Sequence, residues 1–298
     1  MPSLTLKQLE LRRHARYRRT PGRRVRTPAA AQAFVDEVGF CFFWPIQGAE
    51  LPNLFHAIAG RVRAVPNEHA DPDISKCWTW KDQALGQRRW YYGKLLCKKA
   101  TLIALADLPN FYALSANYGG EHDYLDEYAA GHLSREAKVI YEALSQGGPL
   151  DTVRLRRETR LAAESAKAAF ERALVELQVG LKILPVGVAE AGAWRYAFVY
   201  DLVSRHFPDL PAQAQTLPRS QARAALVERY LTNVVAATRA EVRHIFSALK
   251  WTPTEWEHTW AALRESGRIE PVTLIDQAGE YWGVPAGRAA PAVKPRPR

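Results

Sequence analysis

The 298-residue sequence predicts a mainly α-helical chain with small β-hairpins, an α+β fold in which one plan is used twice. Three observations predict it. Over residues 134–200 the apolar residues recur at helical spacing and then alternate as in a strand. The same order returns over residues 227–284. Cap and turn residues stand at the borders of both stretches.

In the first stretch Ala137, Ile140, Tyr141 and Leu144 form one helical face, with Ser134 as its cap and Gly147-Gly148-Pro149 as its stop. Residues 152–160 read as a short basic helix. Phe170, Ala173, Leu174 and Leu177 mark a third helix, expected to close on Gly180 in the left-handed cap conformation. Residues 181–186 read as a strand, 187–193 as a turn, and Trp194, Tyr196, Phe198 and Tyr200 alternate along a second strand. In the second stretch Val227, Tyr230, Leu231 and Val234 form a helical face. Thr238 with Glu241 and Thr252 with Glu255 are capping boxes, and Pro253 suits the first turn of the last helix. A hairpin over 269–284 turns at Asp276-Gln277-Ala278-Gly279. Three helices followed by a hairpin is the plan of a winged helix, a helix-turn-helix variant whose later helix enters a DNA groove.

The N-terminal third is expected to be helical and winged-helix-like. Residues 4–19 read as a helix broken at Pro21-Gly22, and 23–26 as a basic linker. Ala30, Phe34, Val35 and Val38 mark a helix ended by Gly39. Residues 40–44 form an unbroken apolar run, a buried strand. Residues 63–73 read as a loop, and 102–114 as a helix interrupted at Pro109. Trp78, Trp80 and Trp90-Tyr91-Tyr92 stand among cations. Such rings either stack on nucleotides or fill a core, and core filling is the expected role. The acids of residues 121–127, with the single His122, suit the first turn of a helix rather than a metal site. The units are a basic segment 1–28, a domain 29–130, winged helices 131–210 and 211–286 joined at a linker over 208–218, and a disordered basic tail 287–298.

The net charge is +10, but residues 1–28 carry +8 and residues 288–298 carry +4, leaving the body at −2. The cationic ends are expected to clamp phosphates without reading sequence. Within the body, cations gather at Arg88, Arg89, Lys94, Lys98 and Lys99 and at Arg154, Arg156, Arg157 and Arg160. Arg23, Arg24, Arg88, Arg89, Arg154, Arg156, Arg157, Lys167, Arg172 and Arg195 are the candidate DNA contacts. Cys41, Cys77 and Cys97 share no metal-ligand spacing and read as reduced thiols. No metal, cofactor, membrane span or signal segment is expected. Phosphate-loop, nucleophile-elbow and paired CxxC motifs are absent from the sequence.

In architecture over most of the chain, and in Val38-Gly39-Phe40-Cys41 and Trp78 to Asp82, the sequence resembles the AlkZ/YcaQ family of bacterial DNA glycosylases. The resemblance implies a C-shaped winged-helix scaffold for alkylated or crosslinked duplex DNA, in a monomeric, cytoplasmic, nucleoid-associated protein. That family carries a Gln-x-Gln or Gln-x-Asp motif just after the glycine turn. Here the motif positions are Phe42 and Trp44 with Phe43 between; the nearest polar side chains are Gln47 and Glu50, and any excision would depend on Gln47, Glu50 or Asp82. Hydrolysis of an N-glycosidic bond needs a group that positions water and stabilises a cationic sugar, which phenyl and indole rings do not provide. Three readings therefore stay open: a repair enzyme using other residues, a non-catalytic DNA-binding regulator, and a protein-interaction module.

Overall fold

Thr27 accepts a hydrogen bond from Ala30 N–H, Pro28 opens the helix Pro28–Val38, and Gly39 at φ +78° ends it in a conformation open to glycine. From this point the computed structural model, which describes residues 2–68, 70–117, 120 and 122–287, runs through one order of elements three times. Helix, strand, helix, helix, strand, strand is Pro28–Val38, Phe40–Phe42, Leu54–Ala59, Pro72–Gly86, Tyr91–Lys94, Ala100–Ile103 in the first repeat. It is Arg135–Gly147, Leu150–Asp151, Thr152–Glu158, Lys167–Val179, Ile183–Ala189, Ala197–Leu202 in the second. It is Arg219–Val234, Ala237–Thr238, Arg239–Ile245, Pro253–Glu265, Glu270–Leu274, Tyr281–Gly283 in the third. In each sheet the last strand lies in the middle and pairs antiparallel with the other two. The fold is α+β.

The expected caps are in place. Ser134 accepts from Ala137 N–H, and both capping boxes are closed, Thr238 with Glu241 and Thr252 with Glu255. Gly180 differs: its φ is −73°, and the left-handed residue is Leu181 at +53°. Leu181 is buried, so apolar burial offsets the local strain. Residues 102–114 are not one helix. Leu102 and Ile103 sit in the central strand, hydrogen-bonded to Phe40–Phe42 on one side and Tyr91–Lys94 on the other. Pro109 then lies in the first turn of the separate helix Leu108–Tyr112. The linker expected at 208–218 holds the helix Leu210–Gln215, with Leu210 and Ala214 buried. Glu121 and the tail from Arg288 lie outside the described residues.

The basic head is part of the fold. Ser3–Leu4 adds a parallel strand to the third sheet, opposite Thr273 and Leu274. Helix Leu6–Arg16 follows, closed by a capping box of Thr5 and Gln8. Arg13 is buried and donates to Val234 O and Ala236 O, both at 2.9 Å. Arg16 donates to Asn233, Arg18 pairs with Glu37, and Tyr17 and Val25 are buried. Four of the nine cations therefore bond the protein itself, since Arg19 also faces Glu50 at 3.7 Å.

One apolar cluster joins the three repeats, running from Phe40, Phe42 and Phe111 through Leu181 and Leu184 to Tyr230, Phe246 and Trp260. A buried Arg229–Asp107 pair at 3.2 Å and a bond from Asn233 to Val38 O at 2.7 Å tie the third repeat to the first. The second joins the first through Gln178, whose side-chain oxygen accepts from Lys94 N–H at 3.0 Å. Among the described residues no helix is long and apolar enough to cross a membrane.

Candidate functional site

The strand Phe40–Phe42 sends successive side chains to opposite faces. Phe42 enters the core shared by the three repeats, and Phe43, just past the strand, enters the N-terminal core. Both are fully buried, and Trp44 is partly buried. The Phe43 ring meets Trp44 at 4.5 Å, and Trp78 and Tyr92 at 5.7 Å. The apolar run at 42–44 is thus packed into the two cores, with Phe43 and Trp44 against other rings, and offers no polar side chain to a substrate.

Helix Pro72–Gly86 supplies the chemistry beside these rings. Asp71 caps it, and a bidentate Arg63–Asp71 pair fixes its entry. Trp78, Lys81 and Asp82 stand at i, i+3 and i+4, on one helical face. The side chain of Lys81 has no solvent exposure. Its Nζ lies 2.8 Å from Asp82 Oδ1 and donates to the Tyr196 phenol oxygen, also at 2.8 Å. The phenol in turn donates to Asp82 Oδ1 at 3.0 Å. Around the ammonium stand the rings of Trp78 at 4.1 Å, Phe198 at 4.3 Å, Tyr92 at 5.3 Å, Tyr196 at 5.5 Å and Phe43 at 5.8 Å. Burial pushes the amine down to about 8, against the Asp82 hydrogen bond and charge, which raise it. Burial also pushes the Tyr196 phenol up, and the Asp82 charge adds to that.

Of the polar residues nearest the motif positions, Asp82 alone joins this cluster. Gln47 is exposed on the loop after the strand, and Glu50 faces Arg19; among the described residues no contact joins either to Asp82. The candidate DNA contacts do not converge there. Arg23, Arg24, Arg88, Arg157 and Arg172 are exposed, and Arg89 is partly buried. Arg154, Lys167 and Arg195 are exposed beside Glu158, Glu164 and Glu190. Arg156 is occupied structurally, donating to Leu161 O, Ala162 O and Ala163 O.

Sequence reasoning passed over Lys81 and Tyr196. The available signal was the helical spacing Trp78, Lys81, Asp82 inside an aromatic segment. It also passed over a cleft of about 940 Å³ where the three repeats meet, lined by exposed Lys94, Lys98, Arg172 and Lys250 together with Glu127, Glu171 and Glu176. Lys98 at φ +57° and Lys250 at +53° hold left-handed conformations on facing turns.

A family model described as AlkZ-related matches residues 25–247. Comparison with curated proteins finds no match. Among solved structures, the Streptomyces sahachiroi DNA glycosylase AlkZ superposes with a TM-score of 0.56, at 13% identity over 95% of this chain and 70% of that one. At that identity the likeness concerns the fold, whereas the family model spans most of the sequence: the chain belongs to the AlkZ-related family.

Proposed function

We propose that this protein is a DNA-repair-related, duplex-DNA-binding member of its family, built from winged-helix units, whose segment at residues 42–44 carries no glycosylase chemistry. The observation that carries the second half is the full burial of Phe42 in the shared apolar core and of Phe43 among other rings. No water-positioning group stands there. DNA binding is supported by the cleft cations Lys94, Lys98, Arg172 and Lys250, and by Arg157 on the basic helix Thr152–Glu158. Each cation that neutralises a phosphate adds roughly −0.9 to the slope of log K against log salt. In this reading the protein is a cytoplasmic monomer associated with the nucleoid, and alkylated or crosslinked duplexes are its candidate ligands.

The test is an anisotropy titration at several salt concentrations, with intact, N7-alkylated and crosslinked duplexes, followed by hot-alkali cleavage to detect excised bases. Binding should weaken steeply with salt, and Lys94, Lys98 and Lys250 changed together to Glu should flatten the slope by about 3. Base release should be absent. Salt-independent affinity would overturn the DNA reading, and release of alkylated guanine that persists in Gln47→Ala, Glu50→Ala and Asp82→Ala would overturn the inactive segment at 42–44.

A further inference from the structure

We propose that Lys81 is a covered amine nucleophile that condenses with an aldehyde, the ring-opened deoxyribose of an abasic site in DNA. The choice of DNA as carrier rests on the DNA-binding reading above; the amine chemistry does not. Burying an ammonium against one carboxylate is a poor way to stabilise a fold, because desolvation of the two charges offsets their attraction and an apolar side chain of similar volume packs at less cost. A lysine desolvated among apolar groups is instead the usual preparation for imine formation. Lys81 is fully buried, and the titratable groups facing it are Asp82 on its own helix, Tyr196 before the strand Ala197–Leu202, and Tyr92 on the strand Tyr91–Lys94. With its pKa at about 8, an appreciable neutral fraction exists near neutrality.

The cover is slight. Tyr196 is 39% exposed, and the turn before it is open to solvent, with Trp194 at 91%. Asp82 keeps a fifth of its side chain in solvent. Rotation of Tyr196 away from Lys81 breaks two hydrogen bonds, one to Lys81 and one to Asp82, and takes from the amine the ring that packs beside Trp78. The neutral amine's lone pair then forms a bond to the aldehyde carbon. The carbonyl π pair passes to oxygen, Asp82 carries a proton from nitrogen to that oxygen, and water leaves with a second proton from nitrogen. One amine and one aldehyde yield one imine and one water, with no redox change.

The experiment incubates the full-length protein with a duplex bearing an aldehydic abasic site, and separately with propanal, in the presence of borohydride or cyanoborohydride. Reduced adducts are mapped by peptide mass spectrometry. Both aldehydes should mark the peptide containing Lys81 in the unmodified protein, so the result does not depend on a variant folding. Yield should rise about tenfold between pH 7 and pH 9, as the neutral fraction does for a group titrating at about 8. Lys81→Met should abolish the mark, and Tyr196→Ala should speed it. No adduct with either aldehyde, an adduct confined to other lysines, or one that survives in Lys81→Met would overturn the proposal. Duplex binding by anisotropy with no mark on Lys81 sinks the amine and leaves the DNA reading standing. A propanal mark on Lys81 without duplex binding supports the amine and sinks the DNA carrier.

Discussion

Relative to wild type, the stability of Lys81→Met should fall as pH rises through the range in which the folded protein sheds the Lys81 proton. The amine falls from its ordinary 10.5 to about 8 in the folded state. At about 1.4 kcal/mol per pH unit, the charged amine costs the fold ~3 kcal/mol. Below pH 8 it is protonated in both states and the cost is full. Between about 8 and 10.5 the folded protein has shed the proton and the unfolded chain still holds it. The unfolded state binds more protons there, so stability rises with pH. By pH 9 about 1.4 kcal/mol is recovered. The wild-type curve alone would not display this, because burial raises Cys41, Cys77, Tyr91, Tyr92 and Tyr200, and their unfolded-state ionisation lowers stability over the same range. Those groups titrate alike in wild type and variant and cancel in the difference. Urea denaturation of both proteins at pH 7 and pH 9 should show the stability of Lys81→Met minus that of wild type falling by about 1.4 kcal/mol. A difference that stays constant between the two pH values would refute the argument that the amine is buried while charged.

Two further substitutions probe the scaffold. Gly39→Ala places a Cβ 2.8 Å from Arg229 Nε and Asp107 Oδ2 at φ +78°. Both the strain and the crowding of a buried ion pair should lower stability, by ~3 kcal/mol in urea titrations, and a loss below ~1 kcal/mol would show that the junction yields easily. Arg13→Ala removes the donors to Val234 O and Ala236 O, and should cost ~3 kcal/mol and loosen the N-terminal helix in hydrogen exchange. Unchanged protection of residues 6–16 would mean the head is held by apolar contact alone.

Much of this fold was legible because its borders are local. Ser134, Thr238 with Glu241, and Thr252 with Glu255 announce their helices within one turn of the chain, and the structure closes each cap. The motif positions were legible too, since an unbroken run from Phe40 to Trp44 already speaks of burial. What the sequence left undecided depends on partners far along the chain. Residues 100–103 become a strand because Phe40–Phe42 and Tyr91–Lys94 flank them, against a helical apolar spacing that reads on to Leu114. Ser3–Leu4 joins a sheet whose neighbour is about 270 residues away. Arg13, one of the head cations read from composition as phosphate clamps, is drawn inward to donate to Val234 O at the end of Arg219–Val234 and to Ala236 O just beyond it. Lys81 is the clearest case. Its sequence neighbours mark it as one more solvated cation, and its place inside a ring of aromatics follows from Tyr196 and Phe198, the first of them 115 residues downstream. Local spacing sets which face a residue takes on its own helix. Packing of the repeats decides whether that face meets water or another aromatic wall, and so whether an amine is a surface charge or a buried one.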